Sequence, residues 1–263
     1  MMKADARRQK ILTFLATKGT VEIKNLVKEL EASHVTIRHD LSVLEEAGKL
    51  ERFFGGAALP SLIKNVQNEK SNWGSELAVK QRYKINDVAK LDIAKKAAEM
   101  VSKNATIIID SGSTTHLLAK QLAQKGNLTI ITNNLAAATT LAGVTSITLA
   151  ICGGVYRSVS QSIHGNKAEE FFSEVCADIA FIGADGLDPL KGSTTFNEGY
   201  RVTQVIAECA KSVVMLADSS KLKRAGFNQV LLPEQIKILI TDKNIPEEVI
   251  KRFEDNGTQV VLA

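Results

Sequence analysis

The sequence predicts an α/β protein in two parts: an N-terminal winged helix-turn-helix, then a larger doubly wound, mostly parallel sheet. Three observations carry this. Three short helical patterns fill residues 1–48, a polar stretch without apolar periodicity follows, and from residue 77 short apolar runs alternate with helical ones. A chain of 263 residues is also longer than one core of ordinary size requires. The expected boundaries are 1–58 for the first part, 59–76 for a linker and 77–263 for the second part.

Composition narrows the function classes. Hydrophobic residues at 44% and charged residues at 24% exclude a disordered or fibrous chain. The three cysteines, Cys152, Cys176 and Cys209, sit inside apolar runs without the spacing of a disulfide framework or metal site. A reduced cytoplasm is the expected compartment, and neither metal nor cofactor is expected. No N-terminal apolar segment has signal-peptide character, and no apolar run approaches the roughly 20 residues that span a bilayer, so no membrane role is expected. The net charge of +4 permits nucleic-acid binding without arguing for it, although the basic excess lies in the first third of the chain.

In the first part, Ile11, Leu12 and Leu15 follow a basic start, and Gly19 closes helix one near Lys18. Ile23, Leu26, Val27 and Leu30 fall at i, i+3, i+4 and i+7, one apolar face of a short second helix. Ser33 can cap a third helix by accepting an orphan amide proton, with Ile37, Leu41 and Leu44 inward and Gly48 as the stop. Its outer face gathers Ser33, His34, Thr36, Arg38 and His39. These side chains suit a DNA groove: arginine can donate twice to guanine, and serine or threonine can contact phosphate or a thymine methyl. Residues 49–56 read as a strand with a glycine turn, a wing from which Arg52 reaches a phosphate. Taken singly, Arg38 and Arg52 read as surface charges; the arrangement reverses that reading and makes double-stranded operator DNA the expected partner.

The run Ser33-His34-Val35-Thr36-Ile37-Arg38-His39-Asp40-Leu41, then Leu44-Glu45, Gly48 and Gly55-Gly56-Ala57, resembles the signature of the DeoR family of transcriptional regulators. The resemblance extends over nearly the whole chain and is weakest in the linker. It implies a winged helix-turn-helix followed by a sugar-phosphate sensor, and a homo-oligomer, dimer or tetramer. His39 departs from the second basic residue usual after the arginine. The resemblance also matches Arg82 and Lys90 to basic positions of the family.

The linker is polar, with the lone Trp73 available to dock it. Helical pattern returns from Leu77 through Val88, Leu91, Ile93 and Ala97, with Lys84 and Lys96 on a solvated face. Apolar strands are expected at 106–109, 128–132, 147–151, 179–182, 213–216, 238–241 and 259–262, buried on both faces. Ligands of such sheets bind beyond the carboxyl ends of the strands. There Asp110, Ser111, Gly112, Ser113, Thr114 and Thr115 place hydroxyls and a glycine ahead of a helix, a cradle for phosphate or a plain helix cap. Asn133, Gly153, Gly154, Asp185 and Asp218 fall at other strand ends, as does Lys221, whose ammonium can pair with phosphate. Asp185, Asp218 and Glu198 can accept sugar hydroxyls or cap loops.

Gly183-Ala184-Asp185-Gly186, Lys191-Gly192, Glu198 and Ala217-Asp218-Ser219-Ser220-Lys221 resemble eroded motifs of ribose-5-phosphate isomerase. An isomerase with an accessory DNA-binding domain is therefore the alternative, with Asp185 and Glu198 as candidate bases. Gly186 and Ser193-Thr194-Thr195 stand where the enzyme pattern has a further acidic residue and a longer glycine run, so a binding site without catalysis is expected. The runs 158–165, 193–198 and 218–221 resemble repressors of N-acetylgalactosamine and hexitol catabolism, with Phe196 in place of a histidine. The expected behaviour is a repressor released from its operator by a phosphorylated sugar.

Overall fold

The computed structural model describes residues 4–18, 20–53, 56–58, 77–197, 201–226 and 228–263. Contacts divide the chain into two units, Met1–Ser71 and Asn72–Ala263. The linker with Trp73 lies outside the described residues.

The first unit contains α1 (Ala4–Lys18), β1 (Thr20–Glu22), α2 (Ile23–Leu30), α3 (His34–Glu46), β2 (Glu51–Phe53) and β3 (Gly56–Ala58). Its core takes Ile11, Leu15, Leu26, Leu30, Ile37, Leu41 and Leu44 from the periodic positions, joined by Val21, Leu50 and Ala57, while Leu12, Ile23 and Val27 are only partly buried against it. Ser33 caps α3, its Oγ accepting the Thr36 amide at 3.1 Å. Gly48 follows α3 at φ +66, and its amide and that of Lys49 return to the carbonyls of Glu45 and Leu44, both at 2.9 Å. The wing strands β2 and β3 pair antiparallel, but β3 also pairs with β1, which the sequence reading missed. Three residues are too few to show a period of two, and the partner of β1 lies more than 30 residues away.

Asp40 is fully buried on α3 and clamped by α1: Arg7 Nε and Arg8 Nε donate to its two carboxylate oxygens, the latter at 2.9 Å. The pair fixes α1 against α3, and removing one partner strands a buried charge.

The second unit opens with α4 (Val79–Arg82) and α5 (Asp87–Met100). Expected as one helical pattern, they are separated because Asn86 adopts φ +51, and the buried Lys90 Nζ donates to the Arg82 and Ile85 carbonyls, both at 2.6 Å. The main sheet is wholly parallel: β4 (Thr106–Ile109), β5 (Leu128–Thr132), β6 (Ile147–Ile151), β9 (Ala177–Gly183), β12 (Ala210–Leu216), β14 (Ile238–Thr241) and β15 (Gln259–Leu262). Helices α6 (Ser113–Lys125) and α7 (Leu135–Leu141) pack on the α5 side, and α8 (Asn166–Ser173), α9 (Arg201–Glu208) and α10 (Glu247–Asp255) on the other. Alternation assigns the faces: Ile107, Ile109, Phe181 and Val214 meet α5 and α6, while Ile108, Ala180, Ile182 and Met215 meet α8 and α9. Burial on both faces holds for the central strands only. Edge strands β6 and β15 leave Ile151 and Leu262 exposed, because each lacks a neighbour on one side.

The strand order is β15-β14-β12-β9-β4-β5-β6. The chain runs outward from β4 through β5 to β6, then returns to lay β9 against the free side of β4 and continues the other way. The loops after β4 and β9 therefore diverge and open a crevice between them. Two antiparallel additions frame it: the hairpin β7 (Val155–Arg157) with β8 (Ser162–His164), and β10 (Gly186–Asp188), β11 (Gly192–Thr195) and β13 (Asn228–Leu231). Gly192, at φ +80, is required there, since a Cβ would stand 1.9 Å from the Leu231 carbonyl oxygen.

Asp40→Ala is expected to cost about 3 kcal/mol of local stability. Hydrogen exchange on the full chain checks it: amides of α1 and α3 should exchange faster while those of β4 and β9 keep their protection.

Candidate functional site

The crevice between β4 and β9 is a recess of about 680 Å³, its open mouth included. One wall is the start of α6. Gly112 holds φ +145, and the Thr115 hydroxyl and Asn134 Nδ2 donate to its carbonyl at 3.0 and 3.1 Å. Thr115 is thereby spent on shaping the loop and does not line the recess. Ser111, Ser113 and Thr114 do line it, and their hydroxyls have no protein partner among the described residues. At a 13-residue helix start these hydroxyls and orphan amides suit an anion.

Asp110 forms the floor. It is buried, with Asn133 Nδ2 donating to one oxygen at 3.1 Å and Thr203 Oγ1 to the other at 2.9 Å. Burial raises its pKa above the usual carboxylate value, opposed by the Ser111 amide and by Thr203 and Asn133. Asn133 stands behind Asp110 rather than in the lining.

Opposite lie Asp185, Lys221 and Arg82. The Asp185 oxygens are occupied, one by Arg82 Nη1 at 3.2 Å, the other by Thr195 Oγ1 at 2.7 Å and the Phe196 amide at 3.3 Å. Lys221 is 8% exposed, and burial lowers its pKa, with Asp218 opposing. Its ammonium has no hydrogen-bond partner among the described residues, so an anion entering the recess meets a desolvated donor. Asp218 does not line the recess: it accepts from Asn86 Nδ2 at 2.8 Å, from the Ser220 amide at 3.1 Å and from the Ser220 hydroxyl. Loop capping is the role its geometry shows.

Gly153 and Gly154 are not brought to the recess. A Cβ on Gly154 would stand 2.5 Å from the His164 carbonyl oxygen, so this glycine admits the close approach of β8. Glu198 lies outside the described residues. The structure adds lining residues that sequence reasoning missed, Ser160, Thr194, Thr195, Asn197 and Thr203, from β8, β11 and α9 and their approaches. Lone hydroxyls and amides carry no spacing signal. Periodicity leaves open whether Arg82, a basic position of the family, faces a ligand; the structure pairs it with Asp185 in the lining of the recess.

In the first unit, His34 and His39 on α3 are exposed, and Arg38 and Arg52 stand in α3 and β2. The Ser33 and Thr36 hydroxyls lie 2.8 Å apart, so the cap engages both. Val35, 77% exposed beside them, was not singled out.

Residues 7–62 match the family model of the DeoR-like helix-turn-helix domain, and residues 85–243 that of the DeoR C-terminal sensor domain. The chain belongs to the DeoR family. The regulator is 31% identical to the HTH-type transcriptional regulator GolR of Listeria innocua, over 98% of both chains. It is 30% identical to the glycerol-3-phosphate regulon repressor of Escherichia coli K12, over 99% of this chain and all of that one. A putative aga operon transcriptional repressor of Escherichia coli O157:H7 is 29% identical, over 97% of this chain and 93% of that one. The regulator is also similar to ribose 5-phosphate isomerase A of Methanocaldococcus jannaschii, 22% identical with a TM-score of 0.40, over 52% of this chain and 54% of that one. No helix among the described residues is long and apolar enough to cross a membrane.

Beside the recess, His116 on α6 is held at both nitrogens, Nδ1 by the Tyr83 hydroxyl at 2.7 Å and Nε2 by Thr140 Oγ1 at 2.9 Å. Burial, then Lys120, pushes its pKa down from 6.5 to about 4. Between those values the folded regulator binds fewer protons than the unfolded chain, so this stabilisation is complete above pH 6.5 and is lost as pH falls toward 4. Thermal unfolding between about pH 7 and pH 5 should show a smaller loss of Tm in His116→Gln than in the wild type. Equal losses would exclude His116 as a source of the acid sensitivity.

Proposed function

We propose that this DeoR-family regulator is a cytoplasmic repressor of a sugar-catabolism operon, a homo-oligomer released from operator DNA by a phosphorylated sugar. Residues 1–58 form the reading head, 59–76 the linker and 77–263 the sensor. The observation that carries the sensor reading is the recess itself: partnerless hydroxyls at the start of α6 opposite the desolvated ammonium of Lys221. That pairing suits a phosphate, and the surrounding Thr194, Asn197 and Ser160 suit a polyol. An amino-sugar or hexitol phosphate is the leading class of effector, in keeping with relatives named for the aga operon and the glycerol-3-phosphate regulon.

In the reading head, Ser33, His34, Thr36, Arg38 and His39 on α3 enter the major groove, and Arg52 on β2 reaches the backbone. Effector binding shifts the oligomer toward a state whose paired reading heads no longer match the half-sites, so operator affinity falls. Catalysis is not part of the proposal. Asp185, the described carboxylate nearest to a base role, has both oxygens committed to Arg82, Thr195 and the Phe196 amide.

Two substitutions separate the halves. Arg38→Ala should weaken operator binding about tenfold or more and flatten its salt dependence, while thermal stabilisation by sugar phosphates persists. Lys221→Ala should lower effector affinity about tenfold while operator binding persists. Loss of both functions in either folded variant would contradict the assignment.

A further inference from the structure

A chain of hydrogen bonds in the β7–β8 hairpin ends at the recess. Residues 160–164 are pinned to the exit of β5, where the Ile163 amide donates to the Asn133 carbonyl at 2.9 Å and the Leu135 amide to the Gln161 carbonyl at 3.2 Å. Within that rigid segment the Ser162 hydroxyl donates to Ser160 Oγ at 2.8 Å. Ser162 has only one hydroxyl proton. With that direction, the 2.7 Å contact to His164 Nε2 is assigned to the tautomer in which Nε2–H donates to Ser162 Oγ. The Asn197 side-chain amide stands 3.3 Å from the same nitrogen, and in this tautomer it is its oxygen that faces Nε2–H.

The direction of these protons decides what Ser160 can do. Its Oγ accepts from Ser162, with Arg157 Nη1 a second donor at 3.5 Å. Ser160 is 5% exposed, lines the recess, and has no acceptor for its own proton among the described residues. That proton is the one hydrogen-bonding capacity its neighbours leave over, and a buried donor left unmatched is costly.

We propose that Ser160 is a specificity-determining donor of the effector site and that His164, acting through Ser162, is the positioning residue that makes it one. The effector accordingly presents an acceptor oxygen, carbonyl, ether or phosphoryl, to this wall, and a ligand with an ammonium there is rejected. The inference rests on the sugar-phosphate reading of the same recess.

The test is a double-mutant cycle on the full-length protein, reading affinity by calorimetry and thermal shift. The probes are N-acetylgalactosamine 6-phosphate, galactitol 1-phosphate and glycerol 3-phosphate, with inorganic phosphate as the bare anion. Ser160→Ala and His164→Leu should each weaken the best-bound probe about tenfold, and the double variant no more than about tenfold, since the two residues act as one chain. His164→Gln, which keeps an N–H donor, should retain most of the affinity, and Ser162→Ala should behave as His164→Leu and supplies the cycle if that variant does not fold. Additive losses near a hundredfold, or full affinity in Ser160→Ala, overturn the proposal. A wild type stabilised by none of the probes overturns the sugar-phosphate reading itself, and the proposal with it.

Discussion

The reversal of strand order between β4 and β9 is the constraint on which the sensor depends. Adjacent parallel strands whose connections leave in opposite directions cannot cover the space between their carboxyl ends, so a recess follows from topology before any side chain is chosen. Asp110 stands at that point, its amide bonded to the Phe181 carbonyl of β9 and its carboxylate held by Asn133 after β5 and Thr203 on α9. One buried side chain thus ties two neighbouring strand ends and a crossing helix. The α6 cradle inherits its position from this anchor.

The electrostatics of the recess follow from what that packing leaves over. Asp185 is neutralised by Arg82 and Asp218 is occupied by Asn86 and Ser220, while Lys221 remains desolvated and the hydroxyls of Ser111, Ser113 and Thr114 lack partners. The carboxylates that line the recess, Asp110 and Asp185, are hydrogen-bonded within the protein, whereas the Lys221 ammonium and those three hydroxyls are not. A site of that balance favours an anionic, oxygen-rich ligand. Lys90 takes part from a distance: burial lowers its pKa to about 8, and its bonds to the Arg82 and Ile85 carbonyls hold the α4–α5 corner that delivers Arg82 to the lining.

The reading head solves a different problem with a related device. Its core is small, and Asp40 adds a directional tie that an apolar residue lacks, fixing the rotation of α3 against α1. With Ile37, Leu41 and Leu44 turned inward, His34, Val35 and His39 are left facing solvent.

What the sequence alone determined was whatever depends on local periodicity. The helices of the reading head, the Ser33 cap, the Gly48 stop and the seven apolar strands are properties of neighbouring residues, and five of the strands begin and end where apolar runs do. The place of Ser111, Ser113 and Thr114 between a strand end and a helix start was legible because strand, glycine and hydroxyls are contiguous. Only the tertiary structure decided which strand ends meet. It brought Arg82, Ser160 and Thr203 to one recess, turned Thr115 and Asn133 into supports, and kept Gly153 and Gly154 out of it. Those outcomes depend on strand order and on hydrogen bonds between residues as many as 103 positions apart, which no local pattern encodes.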